Sequence, residues 1–258
     1  MSFVCHADRD RDPAEHLQVT GAVPRRGAGV RMRWLGVAGW EMTFGGHRLL
    51  VDPYLTRQPY QDARGKMDLA GPLRVNARII DWVLERYLTA APEFVLVTHG
   101  HFDHLADVAP LLNHPKWRHE QVRVLGGETH LNLLRALGVP ASRTDDLLLV
   151  TGGEHLRHPL RSAESPVDRE VTGARPDALV LGASGNAAVY DYFERVLKAL
   201  GWPRVVVPSH HDDMVTPLDD PRVHDGVNRQ VVDTLQDILG DRGQVLDPRH
   251  LEVLELPV

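Results

Sequence analysis

Thr98-His99-Gly100-His101-Phe102-Asp103-His104 decides how the rest of the chain is read. Three imidazoles and one carboxylate fall within six residues. Phe94-Val95-Leu96-Val97 precedes them, a short continuous apolar run of the kind a buried strand has. Leu105 to Leu112 follows with helical spacing. The segment is therefore expected at a turn from a strand into a helix. In an extended stretch, residues two apart point the same way, so His99 and His101 face one point. The chain turns at Phe102, and Asp103 and His104 face an adjacent point. Gly100 lets the backbone pass close by. Imidazole and carboxylate donors gathered this way suit zinc or a similar divalent ion.

Upstream, Val30 to Leu35 alternates apolar and polar residues, the period of a half-buried strand. Trp40 to Phe44 and His47 to Val51 read as two more strands, joined at the turn Gly45-Gly46. Residues 55–74 are polar and broken by Gly and Pro, and read as a long loop or lid. Ala77 to Leu88 places Ile79, Ile80, Val83 and Leu84, with Tyr87 or Leu88, on one helical face.

Downstream the alternation repeats. Strands are expected at Val122–Leu125, Leu147–Val150, Ala178–Leu181, Val205–Val207 and 251–256. Helices are expected at Glu128–Leu137, Val189–Leu200 and Val227–Leu239, the second of these closed by Gly201. Strands alternating with helices after an opening run of hairpins indicate an α/β layered fold with mixed sheets. Residues 1–26 read as a flexible arm, and 27–258 as a single domain.

Composition narrows the function classes. The 258 residues carry 29 basic and 35 acidic side chains, net −6, a poor balance for gripping nucleic acid or an anionic membrane. Cys5 is the single cysteine, so neither an internal disulfide nor a thiolate metal cluster can form. The first twelve residues lack the apolar centre of a signal peptide, and no stretch is long and apolar enough to span a bilayer. The expectation is a cytoplasmic protein acting on a small-molecule substrate, without nucleic-acid or membrane partners. A homo-oligomer is left open.

The 98–104 segment resembles the His-x-His-x-Asp-His signature of the metallo-β-lactamase fold superfamily. Arg33-Trp34-Leu35-Gly36-Val37-Ala38-Gly39-Trp40 and Leu50-Val51-Asp52-Pro53 are similar to the opening of the branch that holds ascorbate-6-phosphate lactonase-like proteins and phospholipase D-type phosphodiesterases. Val206-Val207-Pro208-Ser209-His210 looks like the late strand that delivers the last histidine ligand. The resemblance implies an αββα sandwich, two mixed sheets flanked by helices, with metal at one edge. It implies His99 and His101 on a first metal, and Asp103, His104 and His210 on a second. Asp103 and His210 are the catalytic candidates, and Asp52 would orient a ligand histidine. The implied activity is a metal-dependent hydrolase that uses a metal-bound hydroxide on an ester, lactone or phosphodiester. Zinc is the expected ion, in one or two copies, with manganese as the other choice.

The resemblance is incomplete over 151–176, where the family has a further histidine and a bridging aspartate on successive strands. That stretch is short and polar here. His155 or His158 would stand in for the histidine, and Glu164 for the carboxylate. Otherwise one metal on Asp103, His104 and His210 remains, or a non-catalytic relative that binds metal, a small molecule or a partner protein. Elsewhere, Asp107 reads as a carboxylate serving a helix dipole. His130, His224 and His250 read as surface, and His211-Asp212-Asp213 as either pocket lining or a solvated loop. Trp34 and Trp40 read as core.

Overall fold

A computed structural model describes residues 29–59, 71–98, 100–144 and 176–256. The arm at 1–26, the strand expected at Leu147–Val150, and His99, His155, His158 and Glu164 lie outside the described residues.

Three antiparallel strands open the fold: β1 (Val30–Gly36), β2 (Gly39–Phe44) and β3 (His47–Val51). Gly45 and Gly46 turn the chain between β2 and β3 with φ of 56° and 90°, a backbone region that glycine adopts without strain. Helix α1 (Ala77–Arg86) starts where the Asn76 side chain accepts from the Ile79 amide. It buries Ile79, Ile80, Val83 and Leu84, the face its spacing marks out. Strand β4 (Phe94–Leu96) then pairs in parallel with β3, and β5 (Arg123–Leu125) in parallel with β4. Two short helices, α2 (Phe102–Leu105) and α3 (Val108–Asn113), replace the single helix expected at Leu105–Leu112. Helix α4 (Glu128–Ala136) completes this half.

The later half runs through β6 (Ala178–Gly182), α5 (Tyr192–Ala199), β7 (Val205–Ser209), α6 (Arg229–Leu239), β8 (Gln244–Val245) and β9 (Val253–Leu256). Two sheets result. The larger has the order β5-β4-β3-β2-β1-β9, and the described strands of the smaller have the order β6-β7-β8. The larger sheet is mixed, whereas these three strands are all parallel. β8 is too short to carry a readable period, and sequence reading did not find it.

Side-chain alternation sorts the core into three layers. Met32, Trp34 and Trp40 of the large sheet meet Val205 and Val207 of the small one. Leu50, Val95 and Val124 face the other way, onto α1, α3 and α4. Val206, one residue from either neighbour in β7, points outward onto Leu197, Leu235 and Leu239 of α5 and α6. The order is helices, sheet, sheet, helices, which is the αββα sandwich. Trp34 and Trp40 are core, as their positions in the strands require. Among the described residues, no helix is long and apolar enough to cross a membrane.

Candidate metal site

Two parallel strands end at the same edge of the sandwich and deliver the site. β4 runs into the motif loop, and α2 carries Asp103 and His104. β7 runs into His210. One ligand atom each from Asp103, His104 and His210 lies within 4.8 Å of the others, with the first two residues buried. His210 Nε2 is 3.1 Å from Asp103 Oδ2, and His104 Nε2 is 3.6 Å from the same oxygen. Burial by itself would raise the Asp103 carboxyl. The hydrogen bond from His210 and the nearby His104 outweigh it and hold the group below its ordinary value.

Asp52 sets the orientation of His104. The parallel register of Val51 with Leu96 brings Asp52 beside the end of β4. Its backbone amide donates to Leu96 O at 2.9 Å, and its φ is 41°. Asp52 Oδ1 accepts from the Thr98 amide at 2.8 Å, and Oδ2 from the Thr98 hydroxyl. The same Oδ2 lies 2.8 Å from His104 Nδ1. An ionised carboxylate only accepts, so His104 carries its proton on Nδ1 and turns Nε2 toward Asp103. A carboxylate behind a histidine is the usual support of a metal-ligating imidazole. The three converging atoms are two imidazole nitrogens and one carboxylate oxygen. That donor set fits a divalent cation.

His101 is placed differently. It is exposed, sits at the N-terminus of α2 with extended backbone, and is outside the Asp103–His104–His210 group. The described structure therefore joins three of the five expected ligands, with His101 apart and His99 not described.

Three residues read as bland, and Asp212, left between pocket lining and a solvated loop, have other roles. His130 is buried, not on the surface, and its Nδ1 accepts from the Gly127 amide at 3.2 Å. A Cβ on Gly100 would lie 3.2 Å from His130 Cδ2, so the ring packs directly under the motif loop. Burial pushes its pKa down. The sequence held a signal for this: His130 shares a helical face with Leu131 and Leu134. Asp107 makes no capping bond to its own helix. Its Oδ2 accepts from the Leu55 and Thr56 amides, each at 2.6 Å, and Oδ1 from the Thr56 hydroxyl at 2.5 Å. Asp212 is no loop residue in solvent. Its side chain is fully enclosed, with Arg57 Nη1 at 2.7 Å and His250 Nε2 at 2.9 Å. His250 is buried and stacks on Trp34, as does His211. Arg57, Asp212 and His250 stand far apart in sequence, and no local pattern links them.

Comparison with known proteins agrees with this picture. Residues 31–153 match the family model of the beta-lactamase superfamily domain. Two curated relatives, each named a UPF0173 metal-dependent hydrolase, are from Sulfurisphaera tokodaii and Ruegeria sp. The first is 29% identical over 82 residues, covering 32% of this chain and 27% of the relative. The second is 32% identical over 85 residues, covering 33% of this chain and 29% of the relative. The chain thus matches less than a third of the length of either. The fold extends further than the sequence likeness. Igni18, described as a novel metallo hydrolase from Ignicoccus hospitalis, superposes over 89% of this chain and 99% of its own. The TM-score is 0.53 at 14% identity.

Proposed function

We propose that this chain is a metal-dependent hydrolase that holds one divalent ion on Asp103, His104 and His210. The convergence of those three side chains, with His104 oriented by Asp52, carries the reading. The name shared by the relatives from Sulfurisphaera tokodaii and Ruegeria sp. supports it. Zinc suits two imidazoles and a carboxylate, and manganese is the second choice. When bound, such an ion supplies an acidified water and polarises a carbonyl or phosphoryl oxygen.

The chain's own residues do the rest. Asp103, held ionised, supplies the negative charge that draws a cation in. Asp52 keeps His104 in one tautomer and one orientation. His210 Nε2 lies 3.1 Å from Asp103 Oδ2, so both would present their donor atoms to the same ion. The substrate we propose is a small molecule with an ester, lactone or phosphodiester bond, the classes the acidified water attacks.

The test is elemental mass spectrometry on protein purified without chelator, followed by hydrolysis assays on ester, lactone and phosphodiester panels. About one equivalent of zinc or manganese, with turnover that His104→Ala abolishes, is the expected result. Bound metal without turnover on any panel would move the protein to a non-catalytic, metal-binding role. No metal uptake after zinc or manganese is added would end the hydrolase reading.

A further inference from the structure

Arg57 is an unusual residue to find with no exposed side-chain surface. Burying a guanidinium and its carboxylate partners gains little over packing apolar groups in the same volume. A position-setting role explains such a network better than stability does.

We infer that the segment Asp52–Arg57 is a strap that ties the two halves of the Asp103–His104–His210 group together, with Arg57 and Asp212 as its positioning residues. The inference rests on the metal-site reading above. The motif side holds the strap at its first residue, Asp52, which meets His104, and again at Leu55 and Thr56. Asp107 follows the helix that carries Asp103 and His104, and it takes the Leu55 and Thr56 amides and the Thr56 hydroxyl. The other end is held from the β7 side. Arg57 gives Nη1 to Asp212 at 2.7 Å, Nη2 to Asp213 at 3.1 Å and Nε to Thr216 O at 2.5 Å. Asp212 lies two residues after His210.

Asp212 also reaches the turn between β1 and β2. Both its oxygens are 3.1 Å from the Val37 amide, and Val37 O accepts the His210 amide at 2.7 Å. His210 is thereby fixed through its backbone. Space for the guanidinium comes from Gly36, where a Cβ would stand 2.2 Å from Arg57 Nη1. Val37, Arg57 and His210 all have left-handed backbone, with φ of 51°, 48° and 55°. Non-glycine residues hold that conformation only where their surroundings over-determine it. Here all three meet at one carboxylate or its immediate partners.

The test compares the wild-type chain with Asp212→Asn, in which Arg57 keeps Asp213, and with the conservative Arg57→Lys. Asp177→Asn, in the exposed pair with Arg204 at the opposite end of β6 and β7 from His210, is the control. Two readouts are taken: amide exchange at Val37 and His210, and cobalt(II) titration followed by its visible absorption. Asp212→Asn is expected to speed exchange at both amides while Val206 and Val207 stay protected. Its cobalt affinity should fall about 10- to 100-fold, the range seen when an outer partner of a ligand is lost, with a shifted spectrum. Arg57→Lys should fall between it and wild type, and Asp177→Asn should match wild type. Wild-type exchange and wild-type cobalt affinity in Asp212→Asn would overturn the strap. Should the wild-type chain take up no cobalt, the metal reading fails, and exchange alone then decides the strap. Should Asp212→Asn not fold, Arg57→Lys decides it by the same two readouts.

Discussion

The two halves of the candidate site are held by opposite means. On the motif side, His104 is oriented by one direct contact, the Asp52 carboxylate at 2.8 Å from Nδ1. On the β7 side, no carboxylate among the described residues bonds His210 Nδ1, the ring atom away from Asp103. Its support is the backbone bond to Val37, which Asp212, Arg57 and His250 hold in turn. A side-chain support fixes a tautomer as well as a position, whereas a backbone support fixes position only. The motif half should therefore respond to substitution in its ligand chemistry, and the β7 half in its placement.

His104→Ala removes one of the three proposed ligands and its oriented lone pair. Metal affinity should drop by more than about 100-fold, beyond what loss of an outer partner costs, as isothermal titration with zinc will read. Asp107→Ala leaves two buried amides and a hydroxyl without their acceptor, and should cost about 3 kcal/mol of stability in urea unfolding. An unchanged midpoint would show that water enters behind the 54–57 segment. Asp52→Asn keeps the shape and loses the charge behind His104. It should weaken zinc binding about 10- to 100-fold and leave the thermal midpoint little changed. If stability falls and zinc affinity does not, Asp52 supports the fold rather than the histidine.

The β7 half should show itself in acid. Burial holds the His250 pKa below its ordinary 6.5, against the pull of Asp212. The unfolded chain then takes up that proton first. The stabilisation is full above about pH 6.5 and is lost as pH falls through that value, at no more than about 1.4 kcal/mol per pH unit for one proton. Burial would raise Asp212, but its bonds to His250 and Arg57 hold it below 3.8, so a second loss follows at lower pH. Thermal midpoints should decline from pH 7 to 5.5, and His250→Gln should flatten that decline. At the small end, Arg78→Ala breaks a pair with Asp219 whose arginine is solvent-exposed, and the urea midpoint should stay at the wild-type value.

Much of the layered fold was readable from periodicity. β1 to β3, α1, α4 and α6 lie where alternating or helical spacing places them, and β4, β5 and β7 where short apolar runs do, because β7 buries both faces. The break between α2 and α3 was not readable, since the apolar run from Leu105 to Leu112 continues across it. For the site, motif spacing pointed to Asp103 and His104, and the end of a buried strand pointed to His210. The network behind them escaped. Asp107 looked like a helix-dipole carboxylate, and its partners Leu55 and Thr56 lie some fifty positions earlier. Arg57, Asp212 and His250 meet only after both sheets have packed, and no local pattern encodes a contact of that kind. His130 was the avoidable miss, because its helical face was already defined by Leu131 and Leu134.

The pairing of β1 with β9 has a consequence for biosynthesis. Val30 pairs with Leu256, and Trp34 forms an isolated bridge to His250, so the first strand waits for almost the last residues described. Non-local pairing of this sort closes slowly and leaves apolar surface open in the meantime. A nascent chain still emerging from the ribosome has the motif in hand but lacks the lock on His210. Chaperone engagement should accordingly persist until β9 is released, and stalled chains that stop short of Val253 should remain bound.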